Sequence, residues 1–302
     1  MSTTETRPVI AMTTQPAAHR IVVGVDGSPD ATLALDWAAH QATLTGAALD
    51  VVTTFGPEYI FVTPAEQESA TEKVLSGARA RLDEMEGVAP EAPITMTSRV
   101  GWADQVLVEE SAGAELLVVG TRGLGGFRGL TLGSIGRKCV HRATVPVVVV
   151  RGPDDSRPDN VGTDHRIVVG IDGSPASADA LDWSARQATL TGARLEVLMA
   201  WEWPAMYGWS PGSSEYNPQL TSDGLLDQAV GPIRARYPDL PMQTEAIEGP
   251  AASLLVKASR GADLLAVGSR GHAEFTGLLL GSVSEHCVVH AHCPVLVHHH
   301  PA

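Results

Sequence analysis

The stretch "GTRGLGGFRGLTLGS", Gly120 to Ser134, carries six glycines, an arginine on each side of a double glycine, and a Gly-Ser pair at its end. It continues the apolar run "ELLVVG", whose last residue is Gly120. Glycine at this density after a buried strand lets backbone pass close to another group, because no Cβ stands in the way. The chemistry this suggests is the holding of an anion. Two familiar phosphate loops nevertheless fail. A Walker loop needs Lys after its last glycine, and no Gly-Lys pair occurs here. The dinucleotide pattern G-x-G-x-x-G, started at Gly123 and Gly125, would need glycine where Arg128 stands.

The chain is written twice, and this decides how the loop is read. "RIVVGVDGSPDATLALDWAAHQATLTGAALDVV", from Arg20, returns 146 residues later as "RIVVGIDGSPASADALDWSARQATLTGARLEVL", from Arg166. "ELLVVGTRGLGGFRGLTLGS" returns 148 residues later as "DLLAVGSRGHAEFTGLLLGS", from Asp263. Between the copies, "RGPDDSRPDNVGTDH" is rich in Pro, Gly and Asp and reads as a linker. The expected organisation is a tail over 1–19, a domain over 20–151, a linker over 152–165 and a second domain over 166–299.

Each copy alternates strands and helices. "RIVVGVD" is a β-branched run suited to a strand buried on both faces. Ser28 is a good N-cap for the following helix, with Pro29 and Asp30 in its first turn and Gly46 as its stop. Leu33, Trp37 and Leu44, with alanines between, are expected to form its apolar stripe. Further strands fall on "ALDVVTTF", "ITMTSRV", "ELLVVG" and "VPVVVV", separated by helical stretches. The predicted class is α/β, two tandem Rossmann-like domains, each a five-stranded parallel sheet with helices on both faces. Ligands of such sheets sit beyond the carboxyl ends of strands, where strand order reverses. The "VDGS" and "VVGTRG" turns both lie at such ends.

With 302 residues, 44% hydrophobic and 19% charged, the chain has the composition of a two-domain soluble protein. A net charge of −14 argues against nucleic acid and anionic membrane as partners. A nucleotide remains compatible, because backbone amides at a helix terminus bind phosphate without a basic surface. No apolar run is long enough to span a bilayer, and the first residues do not read as a secretory signal. Three cysteines suggest a reducing cytoplasm.

The loop spacing is Gly120-x2-Gly123-x9-Gly133-Ser134 in the first copy and Gly268-x2-Gly271-x9-Gly281-Ser282 in the second. This resembles the G-x2-G-x9-G-[S/T] motif of the ATP-binding branch of the universal stress protein family. The resemblance extends to the "VVGVDGS" opening, the element order and the closing "PVVVV" strand, in both halves. It implies an adenine nucleotide hydrolase-like fold and ATP as ligand, with Mg²⁺ reaching the site only on the phosphates and no metal site of the protein's own. Asp26, with Gly27, is then the acidic turn beside the ribose, and Asp172 with Gly173 its counterpart. Adenine would meet backbone near Thr54 or Ala200, and Val100 and Gly101 would close the pocket. Gly120, Arg122 and Gly123 would form the ribose and phosphate loop, with Gly133, Ser134 and Ile135 opening the phosphate-binding helix. Gly268, Arg270, Gly271, Gly281, Ser282 and Val283 take these places in copy two. Copy one carries Gly125, Gly126, Arg128, Arg137 and Lys138 where copy two has Ala273, Glu274, Thr276, Glu285 and His286. That contrast predicts stronger phosphate binding in copy one.

Cys139 and Cys287 read as buried core thiols. Cys293 and His298 to His300 match no standard zinc spacing. Trp201, Trp203, Tyr207 and Trp209 are expected to cover the second site or a domain interface. Three functional classes stay open: a regulatory ATP-binding protein, a slow Mg²⁺-dependent ATP hydrolase, and a scaffold with one or both pockets empty. The resemblance favours the first. No "SGGxDS"-like loop, Ser-His-Asp set or carboxylate pair supports the second. The last strands, "PVVVV" and "PVLVH", are apolar edge candidates that either pair the two halves or join two chains in a homodimer. Protein partners cannot be named from the sequence.

Overall fold

The computed structural model describes residues 19–56, 63–88, 93–123, 132–152, 164–203, 218–271 and 280–300. In the first copy the strands are β1 (Arg20–Gly24), β2 (Ala48–Phe55), β3 (Ile94–Val100), β4 (Leu116–Gly120) and β5 (Val147–Val150). Between them run helices α1 (Pro29–Thr45), α2 (Pro64–Glu84), α3 (Ala103–Glu110) and α4 (Ser134–Arg142). The second copy repeats the order with β6 (Arg166–Ile171), α5 (Pro175–Thr191), β7 (Arg194–Trp201), α6 (Pro218–Arg236) and β8 (Met242–Glu248). It ends with α7 (Ala251–Ala258), β9 (Leu264–Gly268), α8 (Ser282–His290) and β10 (Val295–His298).

Local chemistry sets the first helix of each copy. Ser28 caps α1 by accepting from the Ala31 amide, and Ser174 caps α5 by accepting from that of Ser177. Gly46 and Gly192 end them in the left-handed region, at φ 71° in both. The face of α1 on the sheet is made of Ala34, Leu35, Ala38, Ala39 and Ala42, all at most 1% exposed. Leu33 and Trp37 pack at its margin. Leu44 departs from the expected stripe and is 44% exposed. Two residues beyond Ala42, it lies about 200° round the helix from the buried face.

Each copy has five parallel strands, in the order β3-β2-β1-β4-β5 for the first. The two sheets join into one of ten strands, β3-β2-β1-β4-β5-β10-β9-β6-β7-β8, in which β5 and β10 are antiparallel. Val147, Val148 and Val149 lie opposite Val297, Leu296 and Val295. All six are at most 1% exposed, each burial contributing about 1.5–3 kcal/mol. The apolar strands expected to need a partner thus pair within the chain. One buried cluster, with α1, α2, α5 and α6, covers one face, and another, with α3, α4, α7 and α8, the other; both run through the two copies.

Equivalent residues meet across this seam, which marks a pseudo-twofold axis. Val148 faces its counterpart Leu296. Gln41 and Gln187 exchange amide hydrogen bonds of 2.8 and 2.7 Å while buried. Arg137 of α4 pairs with Glu285, its counterpart on α8. Beyond the strands, Arg151 donates to the carbonyls of Val288 and Val289, at 2.6 and 2.9 Å, over the C-terminal end of α8. Its counterpart His299 donates from Nε2 to Val140 O, at 2.8 Å, near the end of α4. One arm of the clasp is a permanent cation and the other an imidazole.

His299 faces Arg270, His141 and the backbone of Val140 and Val145, while its neighbour His298 lies 4.0 Å from Asp179. Burial, the largest cause for each, holds both below the ordinary value of 6.5. An unfolded chain takes up protons at these positions below about pH 6.5, which the folded chain resists. Their contribution is therefore complete above that pH and is lost as pH falls. We expect His299→Gln, which keeps a donor for Val140 but cannot titrate, to flatten the fall in thermal midpoint between about pH 7.5 and pH 5. Parallel midpoint curves for variant and parent would count against this role.

Candidate functional site

In the first copy β1 lies between β2 and β4, so the chain turns to opposite sides after these neighbouring strands. The crevice at their carboxyl ends is the switch point where open α/β sheets bind ligands. Three segments converge on it: the turn after β1, the loop after β4, and the start of α4. The second copy repeats the arrangement with β6, β9 and α8.

Asp26 holds the first turn, its Oδ1 accepting from the Ser28 amide at 2.9 Å, with Gly27 at φ 83°. Asp172 does the same for Ser174 at 3.0 Å, with Gly173 at φ 84°. The Ser28 hydroxyl donates to Arg122 O at 3.2 Å, and that of Ser174 to Arg270 O at 3.1 Å. The capped start of α1 is thereby fixed to the glycine loop. A Cβ on Gly123 would collide with Asp26 Oδ2, and one on Gly271 with Asp172 Oδ2. Carboxylate and loop backbone are therefore in direct contact in both copies.

Gly120 packs directly against the first helix of its copy. A Cβ there would stand 2.7 Å from the carbonyl carbon and oxygen of Asp30, in the first turn of α1. At Gly268 it would meet the Ser177 amide at 2.7 Å. These glycines seat the helix on the end of the strand.

Gly133 is the N-cap of α4 and Gly281 that of α8. Each amide donates back to the loop, to Thr121 O at 2.6 Å and to Ser269 O at 2.7 Å. Neither cap has a side chain to satisfy the next amides. The first helical bonds are Arg137 to Gly133 and Glu285 to Gly281. The amides of Ser134, Ile135 and Gly136, and of Ser282, Val283 and Ser284, thus have no intrahelical acceptor. Ser134 and Ser282 are exposed. Such a helix start carries about half a positive charge and is suited to an anion.

The remaining predicted residues lie on the far wall. Thr54 and Ala200 are half-buried near the ends of β2 and β7. The Gly101 amide donates to Phe55 O at 3.0 Å, and Gly249 repeats this with Trp201 O at 2.9 Å. Val100 is 75% exposed and Gly101 has φ 153°. Trp201 and Trp203 meet edge to face at 5.7 Å. Tyr207 and Trp209, and the loop residues Gly125, Gly126, Arg128, Ala273, Glu274 and Thr276, lie outside the described residues.

The charges in the loops are arranged otherwise than sequence position suggests. Arg122 Nε lies 3.2 Å from Asp30 Oδ2, which also accepts from the Thr121 hydroxyl at 2.5 Å. Lys138 and Arg142 share Asp104, at 3.5 and 2.9 Å. With Arg137 on Glu285, two of the cations of copy one that pointed to tighter phosphate binding, Arg137 and Lys138, pair with protein carboxylates; the third, Arg128, lies outside the described residues. Asp30 was missed as a site residue; the signal was "DGSPD" against "DGSPA" in copy two. Cys139, Cys287 and Cys293 are buried and unpaired, and burial pushes the first two thiols up to about 12. They are inert at neutral pH.

A model of the universal stress protein family matches residues 17–151 and again 165–299. The chain belongs to this family. A universal stress protein of Mycolicibacterium smegmatis is 30% identical over 295 residues, covering 92% of this chain and 96% of its own. One of Mycobacterium tuberculosis is 31% identical over 290 residues, with the same coverages of 92% and 96%. The crystal structure of a universal stress protein from Archaeoglobus fulgidus shares the fold over 93% of this chain and 98% of its own, with TM-score 0.68 and 17% identity. Two universal stress protein units in tandem thus account for the repeat.

Substitution separates the two roles of glycine in this site. Gly120→Ala places its Cβ against main chain, which cannot yield, and should destabilise the fold by about 1–3 kcal/mol. Gly123→Ala meets only the end of the Asp26 side chain and should cost less. Denaturant unfolding of both variants tests this, and an unchanged midpoint for Gly120→Ala would refute the packing role.

Proposed function

We propose that the chain is an ATP-binding regulatory protein of the stress response, whose nucleotide occupancy changes its conformation or its choice of partner. The observation that carries this reading is the duplicated cradle. A carboxylate, a glycine loop in contact with it, and a helix start whose first three amides have no intrahelical acceptor recur at matching distances 146–148 residues apart. These groups fit ATP. The amides of Ser134, Ile135 and Gly136 suit phosphate, with the Ser134 hydroxyl beside them. The Asp26 carboxylate, at the mouth of the turn, suits a ribose hydroxyl, and backbone after Thr54 suits the base. Asp172, Ala200, Ser282 and Val283 serve the second cradle. When bound, ATP supplies its own triphosphate charge and brings Mg²⁺; the protein's share is to orient and retain it.

Among the described residues, no helix is long and apolar enough to cross a membrane. Three buried unpaired thiols fit a reducing cytoplasm.

The test is to release and identify the small molecule carried by the purified chain, and to follow thermal midpoint on adding ATP. We expect an adenine nucleotide in the extract. A ligand at 100 times its Kd stabilises by about 2.7 kcal/mol, so the midpoint should rise clearly. No nucleotide in the extract together with no shift would overturn the reading, leaving a scaffold built on the β5–β10 seam. Rapid turnover of added ATP would replace it with an enzyme.

A further inference from the structure

We infer that the two cradles are unequal, and that the second copy's is the tighter for nucleotide phosphate because Arg270 is its uncommitted cation. This rests on the nucleotide-binding reading above and assigns its stronger site. The backbone of the two cradles is alike, down to the Ser28–Arg122 and Ser174–Arg270 hydrogen bonds and the amide bonds of Gly133 and Gly281. In the turn after the first strand of each copy, what differs is one acid. In the first copy Asp30, 7% exposed, takes the Thr121 hydroxyl and the Arg122 guanidinium together. Its counterpart in the second copy is Ala176, so nothing at that place neutralises Arg270. Among the described residues, no side chain forms a hydrogen bond or ion pair with the Arg270 guanidinium. Among the described residues its electrostatic neighbour is His299, which burial holds below the ordinary histidine value.

The position matters as much as the charge. Arg270 stands between Gly268, seated on α5, and Gly271, in contact with Asp172. Its backbone therefore lines the cradle, and an exposed guanidinium on it can turn to an anion at the start of α8. Arg122 would first have to leave a buried carboxylate, which costs the Asp30 pair and strands the acid. Among the described residues at the start of α4, the other cations do not offset this, because Arg137 pairs with Glu285 and Lys138 with Asp104. For the described residues the balance of available cations thus runs opposite to the contrast that favoured copy one.

An exchange of the single acid between copies tests the assignment on the full chain, with ATP as the probe in titration calorimetry. Gly123→Val and Gly271→Val each obstruct one cradle and identify which binding step belongs to which copy. We expect the parent to bind ATP in two steps, the tighter one lost in Gly271→Val. Ala176→Asp and Arg270→Gln should each weaken that step about tenfold, the scale of one charge-assisted hydrogen bond. Asp30→Ala, which frees Arg122, should tighten the weaker step. Ala176→Asp recreates a side chain that the same backbone accepts at Asp30, and circular dichroism checks its folding. Should it fail to fold, the exposed Arg270→Gln still decides. A tighter step that resides in the first copy, or that is unchanged in Arg270→Gln, overturns the inference while leaving nucleotide binding intact. A parent chain that binds no ATP overturns the underlying reading instead.

Discussion

The antiparallel pairing of β5 with β10 is the contact on which the rest of the molecule depends. Each copy alone would end in an apolar strand whose outer edge offers unpaired amides and carbonyls, a liability for any open sheet. Turning the two edges toward each other satisfies both and extends the core across the seam, where Val148 and Leu296 are fully buried. It also fixes the pseudo-twofold axis. Once Val148 faces Leu296, Gln41 must meet Gln187, Arg137 must meet Glu285, and the residues after β5 and β10 must reach the helix ends of the opposite copy. The switch points between β1 and β4, and between β6 and β9, are left facing outward as two separate crevices.

Duplication under such an axis allows the halves to diverge in charge while the backbone stays common. Arg137 and Glu285 occupy equivalent positions and carry opposite signs, which turns a repulsive self-pairing into an ion pair. Arg151 and His299 make the same carbonyl clasp with different sensitivity to protons. Asp30 against Ala176 changes the balance inside the crevice itself. A homodimer of single-domain chains could make none of these distinctions, since each residue would face its own kind.

The fold was largely legible from the sequence. The continuous Val and Ile runs, the Ser-Pro start and Gly stop of α1, and the repeat at 146–148 residues each have a local physical cause and were read from it. Of the candidate site, the convergence of its segments was legible: Asp26, Gly123, Gly133 and Ser134 come together, as do Asp172, Gly271, Gly281 and Ser282. What escaped was set by tertiary geometry. Gly120 packs on α1 because the strand end happens to meet that helix, which no spacing rule states. Leu44 is exposed because alanines, rather than the larger residues, form the seat. The described cations of copy one looked available only because their partners, Asp30, Asp104 and Glu285, lie 34 to 148 positions away. Charge counted along a sequence says little about charge free to meet a ligand.

The central claim is that the uncapped starts of α4 and α8 receive the phosphates of a nucleotide. Residue-resolved amide hydrogen exchange, followed by NMR with and without ATP, tests it most directly. The amides of Ser134, Ile135 and Gly136, and of Ser282, Val283 and Ser284, have no intrahelical acceptor and should exchange quickly in the free chain. On saturation with ATP they should slow and shift, in both copies, ahead of amides elsewhere in those helices. ATP that binds yet leaves both sets unchanged would contradict the account.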